Sequence, residues 1–321
     1  MKTFRVGTRG SDLALAQTQQ IVSWLKAREP ACNFEIVPLV THGDRFQATP
    51  ILEMGAHVDA GIFNSALEEA ILAREVDFAT CSFKDVESGL PPGLRAVTVG
   101  RREDPRDVLV SRHHLTLAHL PAGAELATSS PRRTSQLAYF RKDLVFHPLR
   151  GNITTRVERD VARFDGVILA AAGLLRLGLH ERITEWIDES VMLPAPAQGA
   201  LGCEFLAERD DLAALIASIQ DPATDRCVSA EKAVLVGLSG GCYAPIGVLA
   251  RIAAGEMRLH CRVVSLDGQQ KAEDSVRGPA ESWRVLAEEL VKRVAERGGA
   301  EIVRESRQAM QSRASAGEAR G

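Results

Sequence analysis

Phe4-Arg5-Val6-Gly7-Thr8-Arg9-Gly10-Ser11-Asp12 sets a strand, a tight turn and a helix start in one stretch. Phe4 to Thr8 reads as a strand, and Ser11 or Asp12 can cap a helix running through Leu25. The unit repeats. Residues 34–41 read as a second strand, 63–74 as a second helix and 76–82 as a third strand. After Pro105, strands near 107–111, 125–129, 144–149 and 166–171 alternate with helices near 133–140 and 152–163. Such alternation means βαβ units and mostly parallel sheets, so two sets predict two α/β domains. The last third differs: a helix near 223–238 precedes strands at 245–251, 257–265 and 270–276, with turn signals at Ala254-Gly255 and Asp267-Gly268. A helix over 280–296 completes an α+β domain with a three-stranded antiparallel sheet. The stretch Gln308 to Gly321 is small and polar and is expected to fray.

The chain has 321 residues, more than one ordinary core holds, and its 45% hydrophobic and 25% charged fractions are those of a globular protein. A net charge of −3 calls for neither nucleic acid nor an anionic membrane, so anion binding must come from local clustering. No apolar run is long enough to span a membrane, and Met1 to Arg9 lacks a signal-peptide core. The cysteines at 32, 81, 203, 227, 242 and 261 show no metal-binding spacing. Reduced thiols in a cytoplasmic protein, with no metal, are the expectation.

In open α/β sheets ligands sit beyond the carboxyl ends of the strands. The loops there carry Thr8-Arg9-Gly10-Ser11, then Thr128-Ser129-Ser130-Pro131-Arg132-Arg133, then Arg150-Gly151-Asn152 with Arg156, then Ala172 to Arg176. A guanidinium matches a carboxylate two bonds at a time, and helix starts add N–H donors. One arginine alone reads as a solvated charge; six at equivalent topological positions suggest a ligand with several carboxylates. Phosphate stays open, although no phosphate-binding glycine loop is present. The third strand ends in Cys81-Ser82-Phe83-Lys84-Asp85, which puts a carboxylate among the arginines. Asp85 is either a surface partner of Lys84 or a group acting on a cation or a polar N–H. Cys242, in Leu238-Ser-Gly-Gly-Cys242-Tyr-Ala-Pro245, is either an attachment point, a nucleophile or an inert thiol on a connector.

Together these motifs resemble the porphobilinogen deaminase (hydroxymethylbilane synthase) family along nearly the whole chain. The matching segments are Thr8 to Ser11, Val40-Thr-His-Gly-Asp44, Ser82 to Asp85, Arg102-Glu-Asp-Pro-Arg-Asp107, Thr128 to Arg133, Leu149 to Asn152 with Arg156, Ala172 to Leu179, Gln198-Gly-Ala200 and Gly240 to Cys242. The resemblance implies two solute-binding-protein-like α/β domains, 1–99 with 198–220 and 103–196, then an α+β domain at 223–309 and a flexible tail at 310–321. It implies a monomer, and a dipyrromethane cofactor joined to Cys242 by a thioether. Four porphobilinogen molecules are added to that primer with loss of ammonia, and hydrolysis releases hydroxymethylbilane. By the same resemblance Asp85 is catalytic together with Lys84. Arg132, Arg133, Lys84, Ser130 and Thr128 hold the cofactor, and Arg9, Ser11, Arg150, Arg156, Arg176 and Gln198 hold the substrate.

The chain departs from the family at Pro50 to Phe63, where the usual lysines are missing, and at Asn64-Ser65-Ala66. Cys81 stands where histidine is usual and Glu87 where proline is usual. A lid poorer in positive charge leaves two rivals open: a non-catalytic paralogue that binds pyrrole carboxylates, and a general anion-binding protein.

Overall fold

A computed structural model describes residues 2–39, 65–87, 89–149, 151–241 and 244–318. The readings at residues 40–64, at Arg150 and at Cys242 lie outside these. Strand β1 (Lys2–Arg9) pairs in parallel with β2 (Cys32–Leu39) and with β3 (Phe78–Ser82). Helix α1 (Asp12–Arg28) is capped by Ser11, whose Oγ accepts from the Ala14 N–H at 3.3 Å. It ends one turn later than Leu25, because Lys26, Ala27 and Arg28 continue a helix easily. Helix α2 (Ser65–Leu72) precedes β3.

Strand β4 (Leu94–Val99) leads to the second sheet, formed by β5 (Asp107–Ser111), β6 (Glu125–Ala127), β7 (Val145–His147), β8 (Gly166–Ala170) and β9 (Glu185–Trp186). Helix α3 (Pro131–Phe140) follows β6. Residues 153–163 form helix α4, widened to a π-type turn at Arg156–Asp160, and α5 (Ala171–Arg176) follows β8. The chain then returns as β10 (Leu201–Leu206) between β3 and β4, antiparallel to both, and runs into α6 (Asp210–Ala217).

The two sheets share one plan. Their orders are β2-β1-β3-β10-β4 and β7-β6-β8-β5-β9. In each, four strands run one way and one runs against them, and that strand is the first the chain makes after crossing over: β5 going out, β10 coming back. Both sheets are therefore mostly parallel in direction, as expected, each with one reversed strand. A strand entering from the other sheet arrives at the carboxyl ends of its neighbours and must run the opposite way. Each sheet has its own buried cores, one including Phe4, Phe78 and Phe205, another Leu109, Leu126 and Ile168.

Helix α7 (Pro222–Gly237) opens the last unit, in which β11 (Ile246–Ala253), β12 (Glu256–Val264) and β13 (Lys271–Pro279) form the expected antiparallel sheet. Helix α8 (Trp283–Glu296) packs on it, followed by α9 (Gly299–Glu318). Residues 308–318 thus continue a helix where composition predicted fraying. Ala, Glu, Arg, Gln and Met are strong helix formers, and buried Ile302, Val303 and Ser306 anchor its first turns. Among the described residues no helix is long and apolar enough to cross a membrane.

Candidate active site

Strands β1, β3, β6 and β8 all end, and β5 and β10 both begin, on one side of the paired sheets: Asp107 lies opposite Ala170 and Leu201 opposite Ser82. A cleft of about 390 Å³ opens there. Its lining brings together Arg9, Ser11, Lys84, Asp85, Ser130, Arg133, Arg156, Arg176 and Gln198 from both sheets.

Local chemistry holds each wall. Thr18 on α1 donates to Thr8 Oγ1 at 2.7 Å or to the Ala14 carbonyl at 2.8 Å, and its oxygen lies 2.7 Å from Thr80 Oγ1. These buried hydroxyls lock α1 against β1 and β3, because an unpaired one there costs about 1–3 kcal/mol. Gln17 Nε2 donates to Ser82 Oγ at 3.0 Å, just before the 3₁₀ turn Phe83–Asp85 that presents Lys84 and Asp85. The Phe83 N–H donates to the Ala200 carbonyl at 3.0 Å, fixing that turn to the returning chain. On the other wall Ser129 Oγ accepts from the Leu149 N–H at 2.7 Å, and Arg156 Nε donates to the Gly151 carbonyl at 2.7 Å.

Charge is concentrated at the floor. Asp107, fully buried, accepts from Arg132 Nη1 at 2.6 Å, Arg133 Nε at 2.9 Å and Gln198 Nε2 at 3.0 Å. Burial alone would raise its pKa; the two guanidiniums and the hydrogen bonds outweigh that and hold the carboxyl well below the usual range. Lys84 donates to Gln198 Oε1 at 3.4 Å. Burial pulls its ammonium down to about 8, with Asp85 opposing and Arg133 reinforcing. Arg176 donates to the Gly199 carbonyl at 2.6 Å, and burial lowers it to about 10 against the opposing charge of Glu103. Its Nε is buried without a hydrogen-bond partner among the described residues. A cleft with this donor set suits a ligand bearing several carboxylates.

Two predicted residues do not line the cleft. Arg132 is nearly buried and spends Nη1 on Asp107 and on the Leu193 carbonyl at 2.8 Å. Thr128 is buried, and its Oγ1 accepts from the Ser130 N–H at 3.3 Å, shaping the loop rather than its surface. Sequence reading gave Asp107 no role. Its signal was an acid placed directly before the apolar run Val108-Leu109-Val110, a position that a buried strand tolerates only with a partner.

The comparisons with known proteins agree with this geometry. The family described as "Porphobilinogen deaminase, dipyromethane cofactor binding domain" matches residues 4–214, and "Porphobilinogen deaminase, C-terminal domain" matches residues 226–297. The porphobilinogen deaminase of Desulforudis audaxviator is 42% identical over 299 residues, covering 93% of this chain and 96% of that protein. That of Thermus thermophilus is 42% identical over 310 residues, covering 96% and 100%. That of Deinococcus radiodurans is 41% identical over 306 residues, covering 94% and 98%. The chain therefore belongs to the porphobilinogen deaminase family.

Proposed function

We propose that this chain is a hydroxymethylbilane synthase, a transferase of tetrapyrrole biosynthesis that joins four porphobilinogen molecules head to tail. The observation that carries the reading is the single cleft in which Lys84, Asp85, Arg9, Arg133, Arg156 and Arg176 converge from two sheets. A dipyrromethane fits this set: its acetate and propionate groups need fixed cations, and the orphaned, buried Arg176 Nε is a donor that a carboxylate would satisfy. When bound through Cys242, the dipyrromethane supplies the nucleophilic ring carbon to which the first substrate is joined. Arg132, Arg133, Lys84, Ser130 and Thr128 would form or support its seat, and Arg9, Ser11, Arg150, Arg156, Arg176 and Gln198 the substrate's.

At each addition the substrate's C–N bond breaks and ammonia leaves, so its methylene carbon becomes cationic. Asp85 stabilises that charge as it develops, a contribution that is largest in a water-poor site. Asp85 would then accept or relay the proton that the condensation releases. Lys84 and the arginines hold the side-chain carboxylates so that the reacting carbons stay aligned. A thioether at Cys242 would keep the growing chain at high local concentration. We further propose a monomer in the cytoplasm, with domains at 1–99 plus 198–220, 103–196 and 223–309.

Intact-mass measurement of protein made in a porphyrin-synthesising host tests the reading. The wild type is expected to carry an adduct that Cys242→Ser abolishes, whereas unmodified wild type would make this a binding protein. Asp85→Asn should keep the adduct and lose about 10²–10⁴-fold in turnover, the usual contribution of a positioned acid or base. Ordinary turnover in that variant would remove Asp85 from its assigned role.

A further inference from the structure

Beneath the cleft floor, Asp107 gathers donors from two arginines and a glutamine. Arg132 Nη1 and Nη2 donate to its two oxygens at 2.6 and 3.3 Å. Arg133 Nε donates at 2.9 Å, and Arg133 Nη2 stands 2.8 Å from the same oxygen. Arg133 Nη1 donates to the Ile168 carbonyl at 3.0 Å. A guanidinium has five N–H groups, so these contacts leave Arg133 with N–H groups for the cleft it lines. Gln198 Nε2 donates to Asp107 Oδ1 at 3.0 Å and to the Pro105 carbonyl at 2.7 Å, while its Oε1 accepts from Lys84 Nζ at 3.4 Å. One hydrogen-bonded line thus runs Arg132–Asp107–Gln198–Lys84, from the second sheet to the first.

We infer that Asp107 is a positioning residue for the condensation: it neutralises Arg132, orients Arg133 toward the ligand, and through Gln198 holds the Lys84 ammonium at the reacting end. The inference rests on the proposed activity, because it assigns how that activity's carboxylate-binding cations are held. Two adjacent arginines then have different tasks. Arg133 offers N–H groups to the ligand, and Arg132 acts only through the carboxylate it shares. An amide at 198 is suited to the link, since it accepts from an ammonium and donates to a carboxylate at once. The groups facing Lys84 are Asp85 on its own turn, Arg132 and Arg133 on α3, and Asp107 on β5. Asp107 and Asp85 favour the charged ammonium, and the two arginines oppose it.

The pH profile of kcat/KM separates this role from a merely structural one. Asp107→Asn removes one of the two charges that keep Lys84 protonated, so the alkaline limb should move to lower pH. A half-unit move lowers kcat/KM above the limb by about threefold relative to neutral pH, beyond any uniform loss. Asp107→Glu, which keeps the charge, should restore the limb even where kcat stays reduced. If Asp107→Asn fails to fold by circular dichroism, Asp107→Asn with Arg132→Gln removes the stranded guanidinium; because Arg132 itself opposes the ammonium, the limb of that pair is compared with Arg132→Gln alone and should lie at lower pH. An unshifted limb in a folded variant lacking the carboxylate overturns the inference. Wild type without adduct or turnover would instead overturn the activity on which it rests.

Discussion

Lys84 is a cation chosen for a place where cations are hard to keep. Burial and the nearby Arg133 bring its ammonium down to about 8, while Asp85 and Asp107 resist. The sign of the effect on stability follows from proton counting. Below pH 8 the folded and unfolded chains both carry the proton. Between about 8 and the ordinary 10.5 the unfolded chain still binds it and the folded chain does not, so stability rises with pH across that window. Thermal unfolding of the adduct-free Cys242→Ser protein should show this rise, and adding Lys84→Met should abolish it. Catalysis runs the other way. A neutral amine no longer attracts a carboxylate, so kcat/KM should fall as pH increases through about 8, with bound carboxylates moving the limb upward. Asp107 does not itself titrate in this range, although its charge helps set where the Lys84 limb falls. Its folded pKa is depressed, so its share of stability is intact above the ordinary carboxylate range and is lost only in strong acid.

Elements whose own side chains carry a pattern were readable; those whose place depends on distant partners were not. The capped helix α1, the strands β1 to β3 and the C-terminal three-stranded sheet are announced by alternation and by turn residues. Strand β10 is not: it holds a buried glutamate, Glu204, and its register comes from β3 and β4 on either side. Helix α9 is anchored by Ile302, Val303 and Ser306 near its start and is small and polar from Gln308 on, so composition read its end as a tail. The site behaves in the same way. Arginines after strand ends point to an anion cleft, yet nothing local says that Arg132 turns to Asp107 while Arg133 stays at the cleft wall. Gly199, at the start of the return to the first sheet, shows what such a position demands. Its φ is +89°, and a Cβ there would sit 2.5 Å from the Glu103 carbonyl oxygen, while its own carbonyl accepts from Arg176. Gly199→Ala therefore combines left-handed strain with a backbone collision that no rotamer change relieves. It should cost about 1–3 kcal/mol or more and displace Arg176, read as a lower unfolding midpoint and a raised KM for porphobilinogen.

Across the whole molecule the apolar cores stay separate, and a polar junction ties them. Glu231 on α7 is fully buried. It accepts Arg102 Nη1 at 2.6 Å and Nη2 at 3.0 Å from the outgoing crossing, the Ala197 N–H at 2.7 Å from the returning one, and the Ala250 N–H at 2.8 Å from β11. Arg102 Nε also donates to the Gln198 carbonyl at 2.7 Å, so the junction adjoins the residue that links Asp107 to Lys84. Removing one side of a buried pair is worse than removing both, because the survivor keeps its desolvation cost without its attraction. Glu231→Leu alone should cost about 3–5 kcal/mol. Adding Arg102→Met should recover part of that loss. Recovery stays incomplete because the Ala197 and Ala250 N–H groups remain without their acceptor, at about 1–3 kcal/mol each. Denaturant unfolding of the two single variants and the double variant measures the difference. Full recovery in the double variant would mean that Glu231 serves only Arg102. Partial recovery would show that the carboxylate organises both crossings and the C-terminal sheet together, and so carries the cleft floor with them.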